Sequence, residues 1–178
     1  MTKAGTDGRP EATDESSGAP TTAAAEFTLQ NGGPGPDPLT LSELDAVMAV
    51  LLFHRDHFSG NCRRQALRMA RQLDAFRARD VAVVSVLPES KARAAAWAEA
   101  RETPLPTLAD PDGEVADMYD QPTRFGRLGR RIDLIGRLPL VVLVDLRDDP
   151  AELWRYAGES AADWPDIDVL LREVEKFA

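Results

Sequence analysis

The sequence predicts a mixed α/β domain, with one central sheet and helices on both of its faces. Two observations carry this. Apolar runs at 47–53 (VMAVLLF), 80–87 (DVAVVSVL) and 140–145 (LVVLVD) read as strands covered on both sides. Between the first two, the apolar period changes from that of a strand to that of a helix. Early strand–helix alternation implies parallel pairing through right-handed crossovers, and adjacent late strands imply a hairpin.

Taken in order, residues 1–25 hold no large apolar residue after Met1 and are rich in Thr, Ser, Gly, Pro, Ala and acids. Such a segment buries too little surface to offset its ordering entropy, so it is expected to be disordered. The domain is expected over 26–178. Its first part, EFTLQNGGPGPDPLTLSEL, offers strand-like pieces at 27–29 and 39–41 around a Gly/Pro-rich turn. After the first long strand, Ala66, Leu67, Ala70, Leu73 and Phe76 mark one face of a helix running from Cys62 to about Arg79. Pro88 ends the second strand, and the Ala- and Arg-rich stretch 89–101 with Trp97 reads as another helix. Pro104 and Pro106 allow only a short strand at 107–109. Asp110 and Asp112 offer caps for a brief helix at 114–119. Residues 121–136 read as an irregular excursion rich in Gly and Arg. The run at 140–145 turns at 147–150 into an alternating strand at 152–158. A final helix at 164–177 presents Ile167, Leu170, Leu171 and Val174, with Asp163 as its cap. Trp97, Trp154 and Trp164 fall within amphipathic patterns and read as core or core edge.

The chain of 178 residues carries a net charge of −9, which argues against nucleic acid or an anionic membrane as partner. No apolar run approaches the roughly 18 residues of a membrane span. The N-terminus lacks an apolar signal region. The single cysteine precludes an internal disulfide and fits a reducing compartment, so a cytoplasmic location is expected.

That cysteine lies in FHRDHFSGNCRRQ, at the junction of a buried strand and a helix start. Helix-terminal N–H groups lack intrahelical partners and the dipole is positive there. Arg55, Arg63 and Arg64 flank Cys62. Each effect favours thiolate over thiol, the species that attacks a peroxide or disulfide. Ser59, three residues earlier, can bring a hydroxyl to the sulfur or to a bound oxygen. The competing reading is a small buried hydrophobe. His54, His57 and Cys62 also raise a metal site. On a continuing strand, however, His54 and His57 would point to opposite sides, and no second Cys exists. His57 is read instead as packing near the site or as a local base. The arginines of RFGRLGRRIDLIGR (Arg124, Arg127, Arg130, Arg131 and Arg137) read as a solvated loop, or as a docking or anion site.

The blocks FTLQNGGPGPDPLTLSEL, VLLFHRDHFSGNCRRQ, LADPDGEVADMYD and LPLVVLVD resemble, in order, the redoxin group of thioredoxin-fold proteins: the peroxiredoxin-like alkyl hydroperoxide reductase/thiol-specific antioxidant family. The resemblance spans about 26–178 and implies a thioredoxin-like fold. Against the family's PxxxTxxC pattern, Cys62 matches the peroxidatic cysteine, Ser59 stands for Thr and Arg55 for Pro. A later family arginine falls at Pro139, with Arg137 two residues earlier as its substitute. Leu138-Pro139-Leu140 also resembles the cis-proline of thioredoxin-like proteins, facing the cysteine. Ser59-Gly60-Asn61-Cys62 aligns with the CxxC pattern, its first Cys replaced by Ser. The resemblance thus implies a one-cysteine thiol oxidoreductase with antioxidant activity in cell redox homeostasis. Cys62 would be the nucleophile, Ser59 its hydrogen-bonding partner, Arg55 or Arg137 the charge stabiliser, and Pro139 and His57 would line the substrate position. The substrate would be a peroxide or small oxidised thiol, and the sulfenic acid would be reduced by an external thiol or thioredoxin-like reductant. No cofactor or metal is expected, and a homodimer is left open. The alternative is a redox sensor or interaction protein on the same fold, without turnover.

Overall fold

A computed structural model describes residues 22–56, 59–124 and 136–178. Eight strands form one mixed sheet in the order β1-β8-β7-β4-β5-β6-β2-β3. Its centre is β4 (Met48–Phe53), parallel to β5 (Val81–Leu87) and antiparallel to β7 (Leu140–Asp145). All six residues of β4 are buried, because side chains on both faces meet protein. The alternation sorts them. Ala49, Leu51 and Phe53 join one core, with Val115, Ala116 and Tyr119 of the α4 region. Met48, Val50 and Leu52 join the other, with Met69, Leu73, Phe76, Leu170 and Val174.

The helices are α1 (Gly60–Arg71), α2 (Leu73–Arg77), α3 (Lys91–Glu99), α4 (Glu114–Met118) and α5 (Ile167–Phe177). The remaining strands are β1 (Thr22–Ala23), β2 (Thr28–Asn31), β3 (Leu39–Thr40), β6 (Thr107–Ala109) and β8 (Ala151–Ala157). β5 and β6 pair in parallel, while β7 and β8 form the expected hairpin.

Several details differ from the sequence reading. The single helix expected over 62–79 is two, broken at Gln72, whose N–H bonds back to Met69 and Ala70. The break re-aims the chain so that Leu73 and Phe76 enter the core. The sheet already includes Thr22 and Ala23, paired with Glu152 and Ala151, so ordered structure begins ahead of Glu26. The expected N-terminal tail lies, up to residue 21, outside the described residues. The last helix starts later, after Asp166. Asp163 does not cap it. Its carboxylate instead accepts from the Tyr156 hydroxyl and, at 2.8 Å, from the Glu159 N–H. Asp110 does cap α4, accepting from the N–H groups of Val115 and Ala116, while Gly113 at φ 69° supplies the left-handed turn that precedes it. Among the described residues, the cis peptide is Asp37–Pro38, so the bond before Pro139 is trans. Leu138 is fixed there by two bonds, donating to Pro122 O at 2.7 Å and accepting from Gln121, and trans is the commoner X–Pro isomer. Among the described residues, no helix is long and apolar enough to cross a membrane.

Candidate functional site

The carboxyl end of β4 runs directly into the segment that carries Cys62. Three local features set its shape. Ser59 is the N-cap of α1, and its hydroxyl oxygen accepts from the Cys62 N–H at 3.3 Å. The Ser59 N–H donates to Asp56 Oδ1 at 2.6 Å. The Arg55 N–H donates to Cys62 Sγ at 3.4 Å. The chain thus folds back on itself over seven residues, with the sulfur as one of its acceptors.

Proline has no N–H. The Arg55 bond to sulfur therefore could not form if position 55 carried the proline of the PxxxTxxC pattern. The departure that removes a shaping residue adds a donor to the sulfur.

Cys62 is fully buried, as the competing reading of a small buried hydrophobe requires. It sits on the inward stripe of α1 with Gln65, Ala66 and Met69, which explains the cover. Ser59 Oγ accepts as a cap, and a hydroxyl also carries one proton that it can donate. The Arg55 guanidinium lies 3.4 Å from Asp56 and packs closely on Gly136, where any added Cβ would collide with it. Arg137 is committed elsewhere: it donates to Asp117 at 2.9 Å and to the Gly113 carbonyl at 3.4 Å. The structure therefore brings Arg55, Ser59 and Cys62 together, and ties Arg137 to α4. Pro139 is buried at the entry to β7, and its carbonyl accepts from the Gly158 N–H at 2.8 Å. His57 and most of the arginine-rich loop, 125–135, lie outside the described residues.

His54 takes a structural post rather than a ligand's. Its Nε2 and Ser85 Oγ are 3.0 Å apart. The ring lies between Trp97 and Trp164, with centroids 5.6 and 5.4 Å away. Burial without a compensating charge pushes its pKa down to about 3.

Sequence reasoning missed Gln121. This buried side chain donates to the carbonyls of Phe53 (3.4 Å), His54 (3.3 Å) and Leu138 (2.9 Å). It thus clamps the end of β4 to the lead-in of β7, the two segments that carry Arg55 and Pro139. A lone Gln after a short helix gives no signal of this in sequence. Gln121→Ala will strand these buried carbonyls and cost about 1–3 kcal/mol, read as a lower urea midpoint.

A covered thiol at a strand-to-helix junction, on a mixed sheet with helices on both faces, defines a thioredoxin-fold redoxin. The AhpC/TSA family pattern matches residues 20–146, and the chain belongs to that family. Among solved structures, peroxidoxin BcpB of Mycobacterium tuberculosis is similar at 23% identity, covering 89% of this chain and 97% of its own, with a TM-score of 0.73. AhpC of Enterococcus faecalis is similar at 17% identity, covering 88% and 90%, also with a TM-score of 0.73. A thiol:disulfide interchange protein, DsbE of Chlorobium tepidum, superposes with a TM-score of 0.66 at 18% identity, covering 88% and 95%. At these identities the likeness speaks for the fold. No curated protein matches the sequence.

Proposed function

We propose that the protein is a one-cysteine, thiol-dependent peroxidase acting through Cys62. The observation that carries this is the Arg55 N–H bonded to Sγ, with Cys62 in the first turn of α1, which Ser59 caps. A donor fixed in place before reaction needs no reorganisation as charge develops on its acceptor. The Cys62 thiolate attacks one peroxide oxygen; the O–O bond breaks, and the leaving alkoxide or hydroxide takes a proton. Cys62 becomes the sulfenic acid. The Ser59 hydroxyl donates to the peroxide, and Arg55 holds the developing negative charge. Both guanidiniums meet a carboxylate, Arg137 at Asp117 and Arg55 at Asp56, and Arg55 is preferred because its own backbone N–H bonds to the sulfur. In this reading Pro139, buried at the entry to β7, is the wall of the site. Since one chain holds one thiol, an external thiol must complete the cycle. We place the protein in the cytoplasm, where such thiols are abundant.

The second reading is a redox sensor or interaction protein without turnover. The full burial of Cys62 favours it, since a covered sulfur meets small oxidants slowly. One experiment separates the two. The reduced protein is treated with hydrogen peroxide in the presence of a dimedone-type sulfenic acid probe, and the adduct is located by mass spectrometry. Cys62 is expected to carry the probe at equimolar peroxide and to return to the thiol when an external thiol is added instead. A Cys62 that stays unlabelled in a folded protein at excess peroxide excludes the peroxidase. Labelling without repeated turnover selects the sensor.

A further inference from the structure

A groove of about 590 Å³ runs between α1, from its exposed Arg63 and Arg64 to its buried Ala66, and the end of α3. Its floor is apolar, with Trp97, Pro104 and the half-exposed Leu67. Its rim carries Arg63, Arg64 and Arg101. The Arg101 guanidinium lies 4.7 Å over the Trp97 ring and donates to the Trp97 carbonyl, while its Nε is buried with no partner.

The charges are what stand out. The chain has 30 acidic against 21 basic residues, and Arg79, Arg93, Arg137, Arg147 and Arg155 each meet a carboxylate. Among the described residues, Arg63, Arg64 and Arg101 form no such pair, nor do Arg68, Arg71 and Arg172; what marks the groove is that three such arginines share it, although Arg64 also donates to Asn61 and Glu102 is a fourth charged residue in the lining. Arg101 titrates below its ordinary range, through burial first and then the facing charge of Arg63. Guanidiniums that face each other without a counter-ion repel, and an anion between them relieves the cost. The volume suits one small organic molecule, not a protein surface.

We propose that this groove binds a small carboxylate-bearing thiol, the reductant that returns oxidised Cys62 to the thiol. The inference rests on the peroxidase reading above. The groove reaches Ala66, one helical turn along α1 from Cys62, so a carboxylate held by Arg63 and Arg101 sets the ligand's sulfur near the helix start, which must open to expose the buried Sγ. The first thiol condenses with the sulfenic acid, forming the S–S bond of a mixed disulfide and releasing water. A second thiol attacks the ligand sulfur, so that Cys62 leaves as thiolate and a symmetric disulfide departs. Two thiols supply the two electrons that peroxide removed.

The test oxidises the protein with equimolar hydrogen peroxide and follows recovery of the Cys62 thiol. Three reductants are compared at matched thiolate concentration: mercaptosuccinate, 2-mercaptoethanol and cysteamine. Mercaptosuccinate is expected to be faster than 2-mercaptoethanol by about tenfold, the effect of one charge-assisted hydrogen bond, and cysteamine slower. In Arg101→Gln, and separately in the exposed-face variant Arg63→Gln, that ratio falls towards one. Calorimetry of succinate binding to the reduced protein reads the groove without redox chemistry, with heat lost in either variant and at high salt. A sulfenic acid reduced equally by all three thiols overturns the proposal, and so does succinate binding without thiol selectivity. Absence of any sulfenic acid shows before a thiol is added; it marks failure of the peroxidase reading and takes the proposal with it.

Discussion

Cys62→Ser is expected to lose peroxide consumption down to the uncatalysed background while keeping its fold. The chain has no other sulfur nucleophile among its cysteines, so nothing can take over the displacement on oxygen. The serine hydroxyl is nearly isosteric with the thiol and can accept the Arg55 N–H that now bonds to sulfur. The cost in stability is that of placing a hydroxyl in a fully buried position with one partner, about 1–3 kcal/mol. Peroxide is followed with a colorimetric assay in the presence of mercaptosuccinate, and folding by circular dichroism. Wild-type consumption that already equals the background, from a fully folded protein, would leave the cysteine as packing.

The second large effect is on stability against pH. His54 is neutral when folded, because its pKa lies near 3 while an unfolded histidine titrates near 6.5. Above about pH 6.5 neither state is protonated there, and His54 contributes fully to stability. Below that value the unfolded chain takes up a proton that the folded one refuses, so stability falls as pH falls. The loss is about 1.4 kcal/mol per pH unit and continues towards pH 3, several kcal/mol in all. His54→Gln keeps a polar partner for Ser85 but does not titrate. Urea midpoints measured from pH 7.5 to 4 should therefore drop more steeply for the wild type than for the variant. Parallel slopes would mean that the imidazole between Trp97 and Trp164 is protonated in place.

Much of the architecture was legible in the sequence. The strands at 107–109 and 140–145 fall where the apolar runs put them, because short buried strands bounded by proline or acids leave little freedom. The break at Gln72 was not legible. It involves neither Gly nor Pro, and arises from packing Leu73 and Phe76 against β5. Of the three tryptophans, Trp97 is buried and the other two lie at the core edge. At the site, the cysteine's place at the helix start could be read from the switch in apolar period. Its burial could not, since that depends on which side of α1 meets the sheet. Nor could the commitment of Arg137 to Asp117, twenty residues upstream. Arg55 is the instructive case. Pattern comparison registers only a missing proline, whereas the backbone shows what replaced it.

Among the described residues, β1 pairs with only Ala151 and Glu152 of the seven-residue β8, so the outer backbone edge of β8 runs on past it from Leu153 to Ala157. An uncovered strand edge is where another extended chain can add. Arg155 stands on that stretch, and its charge works against edge-to-edge growth between copies.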